Sequence, residues 1–531
     1  MRYLIKSLKN SNSECLDGIS NQMVKISIDS LVLPMTYLWN KCVEKETFPT
    51  IWKFFKVLGL YKSKGAKEDP KFYRPISILS PLSKVIEKEM LSQMVAYMDK
   101  NKLWSKNIYA YRKNHNTTNA LIDLVEIWMD NINNNQQNIS MFLDLSAAFD
   151  CVSHPILKSK LSIYGFSENA NNLIMSYLTD RKQCVSVSGV NSEFLSIDTG
   201  VPQGSIVGPF FYNLYIQELP HFLDLECEHK IKQINLTEFL FDDPCEKCGI
   251  ILTFADDSSL TIKTTKKENI SAAKKLDTIL SKLENFLKLN NLKLNIDKTE
   301  LIRITTSQQL TANGQESLKL QAKNSKGENI TPSKTAKILG ITFQSNLNWS
   351  SHFEKSKEAI INKCKKKLGA LKFVAKFASI NSKKKLANGC IMSRLTYGIQ
   401  VWGLNINKTP LKKIQRVQNI TMCWVLSKPF WTKTSELLNE MNWLSIYQLA
   451  CYHSILLLWK VNIHKAPLNN LKNIEMSRNM RGRLKKTRRI WSIRSLELFD
   501  ELPLEIKQCQ KISKFKKLLK KWIGTNIPIE E

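Results

Sequence analysis

The sequence predicts an α+β fold, and two contrasting patterns along the chain indicate it. Short apolar segments bounded by turn residues, such as ISMFLDLSAAFD and GIILTFADDSSLTIKT, are typical of strands and occur in the first part of the chain. From Lys355 onward the pattern is mostly helical, with lysine clusters at 363–367 and 383–385 between apolar anchors. With 531 residues the chain is too long for one compact core, so several folding units are expected.

The first elements are predicted to be two helices, a strand and a third helix. Residues from about 16 to 47 have helical periodicity, with Asp17 or Ser20 able to cap the N-terminus. A short apolar strand and a loop rich in Lys, Gly, Asp and Pro follow. The next helix is predicted to begin near Pro81, so the basic side chains before it lie on a loop.

Three further segments place acidic and glycine residues at special positions. Asp144 lies inside an apolar strand, whose imperfect alternation is typical of a central strand buried on both faces. The segment LSIDTGVPQGSIVGPFFYNLYIQEL predicts a strand, a Gly/Pro-rich turn and an apolar helix. Asp256 and Asp257 occupy a tight turn between two apolar strands.

The charge of the chain points to a polyanionic partner. Lys and Arg total 78 against 47 Asp and Glu, a formal net charge of +31. Nucleic acid is favoured over a membrane, because there is no uninterrupted apolar run of about 18 residues. No signal peptide is recognised, so the protein is expected inside the cell. The alternative is that the lysines are simply solvated.

The acidic residues suggest metal-dependent chemistry. An ionised carboxylate in a buried strand needs a paired charge or a metal, which applies to Asp144. Together with Asp256 and Asp257 it could hold two Mg²⁺ ions, the arrangement that supports in-line nucleotidyl transfer. An Asp-Asp pair by itself is more often ordinary turn chemistry, so the combination carries the argument.

At these residues the sequence resembles the reverse transcriptases of jockey-type and LINE-type non-LTR retrotransposons. The resemblance runs in order through KSKGAKEDPKFYRPISILSPLSKVIEKE, FLDLSAAFDCVSH, TGVPQGSIVGPFFYNLYI and FADD, and continues through NNLKLNIDKTELI and KILGITFQSNLNW. It implies a right-hand polymerase, with fingers and an antiparallel palm sheet over residues 1–345, an α-helical thumb over 346–410 and a basic helical C-terminal region over 411–531.

The resemblance also implies roles for individual residues. Asp144, Asp256 and Asp257 match the metal-binding carboxylates, and Phe149 matches the aromatic residue that crowds the sugar 2′ position and selects dNTPs, although it could simply belong to the core. The positions implied to bind the nucleotide or template are Lys62 or Lys64, Arg74, Pro202, Gln203, Gly204 and Lys298. Lys298 would donate a proton to the leaving pyrophosphate, with a solvated lysine as the alternative.

The sequence departs from the family's pattern in three places. Phe254 replaces the usual tyrosine of the third palm motif. The chain begins close to the expected N-terminal edge of the polymerase domain, so we expect the upstream endonuclease to be absent. An insert at about 222–250 contains Cys227, His229, Cys245 and Cys248. These four residues could make a tetrahedral Zn²⁺ site, or they could be reduced side chains in a surface loop.

The function expected from these observations is RNA-directed DNA polymerisation by two-metal nucleotidyl transfer. The expected partners are an RNA template, a DNA primer or target and dNTPs. The alternative is a decayed or co-opted element-derived protein that binds nucleic acid without polymerising. An intron-type enzyme is disfavoured, since no maturase region is recognised.

A ribonucleoprotein of nucleus and cytoplasm is expected, and RGRLKKTRR at 481–489 is a candidate import signal, template-binding patch or solvated loop. The sequence does not determine the oligomeric state.

Overall fold

The structure is a computed structural model that describes residues 1–63, 65–224, 250–265, 269–312, 322–323, 329–354, 359–464 and 491–529. Helices and small sheets alternate in its first two thirds, and the described residues after Gln344 form helices but no strands. The predicted α+β class is therefore confirmed. Within these ranges, no helix is both long and apolar enough to cross a membrane.

The helices begin and end as follows: α1 Arg2–Lys6, α2 Asn21–Ile26, α3 Ile28–Glu44, α4 Pro81–Lys100, α5 Thr117–Asn133, α6 His154–Ile163, α7 Glu168–Leu178, α8 Gly208–Ile216, α9 Leu219–Asp224, α10 Asn269–Leu289, α11 Ser307–Ala312, α12 Ser350–Phe353, α13 Ile360–Val374, α14 Ile380–Ala387, α15 Ser393–Leu395, α16 Ile399–Trp402, α17 Lys408–Leu426, α18 Thr434–Met441, α19 Ile446–His464, α20 Trp491–Asp500, α21 Leu504–Lys507 and α22 Ile512–Asn526. The predicted N-cap Ser20 accepts a hydrogen bond from the Met23 amide, and α4 begins at Pro81 as predicted.

The strands are β1 Phe54–Tyr61, β2 Tyr73–Ile78, β3 Gln137–Asp144, β4 Arg181–Val187, β5 Val190–Asn191, β6 Leu195–Ile197, β7 Ile250–Phe254, β8 Asp257–Thr264, β9 Glu300–Ile304, β10 Ala322–Lys323, β11 Asn329–Ile330, β12 Pro332–Ser333, β13 Thr335–Ile338 and β14 Ile341–Gln344. The larger sheets have the orders β2-β1-β4-β5, with β6 beside β4, and β12-β9-β3-β8-β7. In the second sheet the β3–β9 and β7–β8 pairs are antiparallel as predicted, whereas the short edge strand β12 runs parallel to β9.

The chain forms two compact units that interleave along the sequence. Unit 1 comprises the described residues of Met1–Tyr111, Asp144–Cys245 and Ser281–Asn295, and it contains the β1–β2–β4 sheet. Unit 2 comprises those of Arg112–Leu143, Glu246–Leu280 and Ile296–Glu531. The boundaries at residues 345 and 410, expected between fingers and palm, thumb and C-terminal region, remain a prediction.

Trp128 joins helix to sheet in the core of unit 2. Its buried indole N–H donates to the Ser140 Oγ on β3 at 2.8 Å and to the Thr261 Oγ1 on β8 at 3.2 Å. The Phe343 ring packs edge-on against it, with 5.0 Å between centroids. Buried indole groups usually find such a polar partner, so this contact fixes α5 against the middle of the sheet.

Candidate active site

The turn that follows β6 in unit 1 is held close to two other segments by glycines. Gly200 and Gly204 both have positive φ, at +85° and +119°. A Cβ on Gly200 would lie 2.7 Å from the Asp150 carbonyl oxygen, and one on Gly204 would lie 2.8 Å from the Ser77 carbonyl oxygen. Any other residue would clash with backbone at these positions, so glycine is required there for both space and conformation.

Backbone hydrogen bonds complete this arrangement. The Gly200 amide donates to the Val152 carbonyl at 2.8 Å, and the Val201 amide donates to the Phe149 carbonyl at 2.9 Å. The Ser77 amide donates to the Gln203 carbonyl at 2.8 Å. Strand β2, the segment after Asp144 and the Gly/Pro-rich turn therefore form one connected surface within unit 1.

Gln203 was predicted to make a polar contact, and its side chain binds Asp150. The amide nitrogen lies 2.9 and 3.0 Å from the two carboxylate oxygens of Asp150. Partial desolvation raises the pKa of Asp150, and the hydrogen bond from Gln203 opposes that rise. Asp150 was missed from the sequence, where it looks like one more polar residue after a strand.

Phe149 is partly packed in unit 1 and partly accessible. Its ring stacks on Tyr212 of α8, with 4.8 Å between centroids and 23° between planes, and it meets Tyr111 edge-on at 6.4 Å. The residue is nonetheless only half-buried. One part of the ring therefore belongs to the packing of unit 1, while another part remains accessible at the surface next to the turn.

A buried carboxyl group supports the turn from within. Glu87 of α4 is fully buried, accepts the Ile206 amide at 2.7 Å and accepts the Ser83 hydroxyl at 2.9 Å. Burial raises the pKa of Glu87, and the Ile206 amide and the nearby Arg181 oppose that rise. Sequence reasoning missed Glu87, although its position one turn from Ser83 and from Met90 on the buried face of α4 was a usable signal.

The predicted basic residues of the fingers lie on the β1–β2 hairpin. Lys62 and Arg74 are both exposed. The Lys62 ammonium donates to the Lys71 carbonyl at 2.7 Å, so it stabilises its own loop, and Arg74 pairs with Leu60 across the hairpin. Lys64 lies outside the described residues. Between the two predicted alternatives, the structure therefore gives contacts for Lys62 alone.

The acidic hairpin belongs to unit 2. Phe254 and Asp257 face each other in the β7–β8 register, which leaves a two-residue turn of Ala255 and Asp256. Ala255 has φ +56°, a conformation that costs a residue with a Cβ about 1 kcal/mol or more. Asp256 is exposed and Asp257 is half-buried. The predicted strand, tight turn and strand are confirmed, but only Asp256 lies in the turn, because Asp257 pairs with Phe254 as the first residue of β8.

Asp144 is the last residue of β3 and is half-buried, whereas every other residue of that strand is buried. Strand β3 lies next to β8, where the Ser140 and Thr261 hydroxyls are 2.8 Å apart. After β3, the Asn295 amide donates to the Asp144 carbonyl at 2.8 Å. The prediction of a central strand that is buried on both faces is therefore confirmed.

The remaining predicted residues are either exposed or outside the described ranges. Lys298 ends a 3₁₀ turn just before β9 and is exposed. Cys227, His229, Cys245 and Cys248 lie outside the described residues, as does the basic run at 481–489. Among the residues that are described, no three His, Cys, Asp or Glu side chains are grouped closely enough to hold a metal ion by themselves.

Comparison with known proteins identifies the family. The family profile described as "Reverse transcriptase (RNA-dependent DNA polymerase)" matches residues 64–343, which is more than half of the chain. The chain therefore belongs to the reverse transcriptase family, as its motifs predicted. The match covers β2, the Gly/Pro-rich turn and the acidic hairpin described above.

Relatives from mobile elements match beyond that region. The chain is 26% identical over 455 residues to the probable RNA-directed DNA polymerase from transposon BS of Drosophila melanogaster, covering 85% of this chain and 47% of the relative. It is 25% identical over 441 residues to the RNA-directed DNA polymerase from mobile element jockey of the same fly, covering 83% and 45%. The chain thus spans about half the length of these relatives, and its resemblance to non-LTR element polymerases is confirmed.

A structural likeness to telomerase is more distant. Telomerase from Candida tropicalis, solved with a fragment of telomeric RNA, is 12% identical to this chain, with a TM-score of 0.37 and coverage of 78% of this chain and 68% of telomerase. A likeness at that TM-score supports no argument about function.

Proposed function

We propose that this chain is the RNA-directed DNA polymerase of a non-LTR retrotransposon, which adds dNTPs to a primer 3′-hydroxyl on an RNA or DNA template. The observation that carries the proposal is the placement of Asp144 at the end of β3, of Asp256 in the turn before β8, the neighbouring strand, and of Asp257 at the start of β8. The family match and the element-derived relatives support the same activity.

The donor atoms at these strand ends fit Mg²⁺. Mg²⁺ prefers carboxylate oxygens, keeps several waters, and in polymerase sites takes further ligands from the substrate phosphates. Carboxylates of which one is exposed and two are half-buried suit that mode better than an all-protein cage would. Two bound Mg²⁺ ions would supply charge stabilisation at the attacking and leaving oxygens.

The turn in unit 1 is suited to positioning the nucleotide. Its close contact with β2 and the 149–152 segment fixes the accessible edge of Phe149, which would disfavour a ribose 2′-hydroxyl. Gln203 orients Asp150 beside that edge, while Gly204 leaves the backbone accessible.

Lys62 and Arg74 would bind the triphosphate, an anion suited to an ammonium and a planar guanidinium. Lys298 would donate a proton to pyrophosphate.

The net charge of +31 supports binding of a primer and an RNA template along the chain. A ribonucleoprotein found in nucleus and cytoplasm follows from the same proposal. A Zn²⁺ site at Cys227, His229, Cys245 and Cys248 is kept as a separate proposal, to be tested by metal analysis of the purified protein.

Primer extension tests the proposed activity. The natural protein, Asp256→Asn and the control Asp29→Asn would be supplied with poly(rA)/oligo(dT), dTTP and Mg²⁺. Asp29 is an exposed residue that pairs with Arg2 at the surface, so its loss should leave extension unchanged. We expect extension by the natural and control proteins and none by Asp256→Asn. A folded natural protein that binds the template but never extends the primer would instead indicate a decayed or co-opted copy.

A further inference from the structure

The end of α13, the start of α14 and the loop between them in unit 2 expose a group of large apolar side chains. Phe373, Val374 and Phe377 have 86%, 81% and 92% of their surface accessible, and Ile380 has 56%. The buried face of α13 is formed instead by Ile361, Cys364 and Leu368, which lie earlier in the helix. Single exposed apolar residues are common, but a contiguous group of this kind marks a surface that binds something.

The segment that carries this cluster has only positively charged ionisable side chains apart from Cys364. Residues 359–387 include nine lysines and no Asp or Glu. The Lys376 ammonium lies 5.4 Å from the centre of the Phe377 ring, which places a cation directly beside an exposed aromatic side chain. The lysines are Lys363, Lys365, Lys366, Lys367, Lys372, Lys376, Lys383, Lys384 and Lys385.

A second exposed aromatic pair in unit 2 has acidic as well as basic residues nearby. Phe430 and Trp431 are 79% and 73% exposed and meet edge to face, with 4.8 Å between centroids. Their neighbour Lys428 pairs with Glu436 at 2.7 Å and also with Glu440. Exposed aromatic rings therefore occur in this unit both with and without a surplus of positive charge, which makes the pair at 430–431 a matched control.

We infer that the tip formed by Phe373, Phe377 and the lysines of α13 and α14 is a binding site for single-stranded nucleic acid. Lysines alone would bind the phosphates of any strand, paired or unpaired. Exposed aromatic rings add a surface on which unpaired bases stack, a contact that a paired duplex does not offer. Aromatic rings within an all-basic surface are the combination that unpaired RNA or DNA requires.

This inference rests on the nucleic-acid binding in the proposed function, but not on catalysis. It adds binding of template or product that is not base-paired. Elongation of a primer duplex does not itself require that contact. An anionic membrane is the competing occupant, because Phe and Lys also suit a lipid surface. The exposed rings lie at a helix end rather than along one face of a helix, which favours bases over a bilayer.

Fluorescence anisotropy on the full chain tests the inference. The probes are a fluorescein-labelled dT 20-mer and a blunt-ended duplex of equal length. The variants are Phe373→Ala/Phe377→Ala and the control Phe430→Ala/Trp431→Ala. We expect the first variant to lose at least about tenfold in affinity for the single strand, with a much smaller change for the duplex, because stacking contributes only to the former. The control should match the natural protein on both probes.

The lysines are tested by the salt dependence of the same binding. In Lys372→Gln/Lys376→Gln the slope of log affinity against log salt should become shallower by about 1.4, or about 0.7 for each single-strand phosphate that a lysine no longer neutralises. All substituted side chains are exposed, so thermal melting should confirm that every variant is folded.

Two outcomes would overturn the inference: an equal loss on the duplex, or unchanged single-strand affinity in Phe373→Ala/Phe377→Ala. In the second case, weaker binding of the same variant to phosphatidylserine vesicles would assign the rings to a membrane. Asp256→Asn separates this inference from the proposed function, because it should bind the single strand like the natural protein. If the natural protein binds with this selectivity but never extends a primer, the site stands and the polymerase proposal fails.

Discussion

Two candidate functional regions, one in each unit, differ in how their geometry is fixed. The turn from Gly200 to Ile206 in unit 1 is held by backbone hydrogen bonds, by two glycines with no space for a Cβ and by the buried carboxyl of Glu87. The hairpin turn of unit 2 holds only two residues, one of them in a strained conformation and the other an exposed aspartate.

Under the proposed function, the difference follows from what each region would do. A surface that positions a planar base and sugar must be rigid before the substrate arrives, and dense packing achieves this. Carboxylates that bind Mg²⁺ must instead remain accessible to the ion and to substrate phosphates. Substitutions in the turn should therefore affect stability, whereas substitutions in the hairpin should affect activity.

The largest expected effect is at the hairpin. Asp256→Asn/Asp257→Asn should lower the rate of primer extension by at least about 10³-fold, because several kcal/mol of transition-state stabilisation would be lost. The melting temperature should stay the same or rise slightly, since two adjacent negative charges are removed. Extension assays and thermal melting on the same preparations measure both. A marked loss of stability would contradict the comparison.

The turn should respond in the opposite way. Gly204→Ala should destabilise the protein by about 3 kcal/mol, because the residue has φ +119° and its new Cβ would meet the Ser77 carbonyl at 2.8 Å. Gly189→Ala is the matched control, since Gly189 also has positive φ but nothing within 4 Å of an added Cβ. Chemical denaturation should show a loss of only about 1 kcal/mol for the control. Equal losses would mean that the close approach to β2 contributes nothing.

A buried carboxyl in unit 2 extends the comparison to pH. Glu126 of α5 accepts the Ser492 hydroxyl at 2.8 Å and the Ser492 amide at 3.2 Å, and burial raises the pKa of Glu126 from 4.5 to about 7. The folded state therefore binds the proton more tightly than the unfolded state does. This contribution to stability is present at low pH and is lost as the pH rises through the folded pKa.

The free energy of unfolding should accordingly fall by about 2 kcal/mol between pH 5 and pH 7 through this group. Glu126→Gln should remove that part of the pH dependence, while the exposed control Glu505→Gln should leave it intact. Denaturation of the three proteins at both pH values provides the measurement. An unchanged pH dependence in Glu126→Gln would show that the carboxyl is solvated in the folded protein.

The smallest expected effect is at Gln203. Gln203→Ala removes two hydrogen bonds to Asp150 and should raise the KM for dTTP about fivefold, or about 1 kcal/mol, with little change in kcat. Gln203→Glu should be worse than Gln203→Ala, because it places like charges together. Steady-state extension kinetics distinguish the two, and a fall in kcat alone would mean that Gln203 acts in the chemical step.

Local patterns predicted the elements that carry the site with good accuracy. The start of α4 at Pro81, the N-cap at Ser20 and the two-residue turn at Asp256 follow from the chemistry of proline, serine and hairpin residues in the chain itself. Glu87, Asp150 and Tyr212 were missed. Their partners are Ile206, Gln203 and Phe149, which lie about 119, 53 and 63 residues away along the chain.

The sequence alone determined the α+β class, the order of the motifs and the residue types of the acidic site, because periodicity, turn chemistry and charge depend on neighbours in the chain. Only the tertiary structure decided that Asp150 accepts a hydrogen bond from the Gln203 side chain and that Glu87 accepts one from the Ile206 amide. It also decided that Phe373 and Phe377 are exposed. Burial and pairing are set by segments that meet through folding, and an apolar residue such as Phe373 has the same signature in a sequence whether it is packed in a core or exposed among lysines.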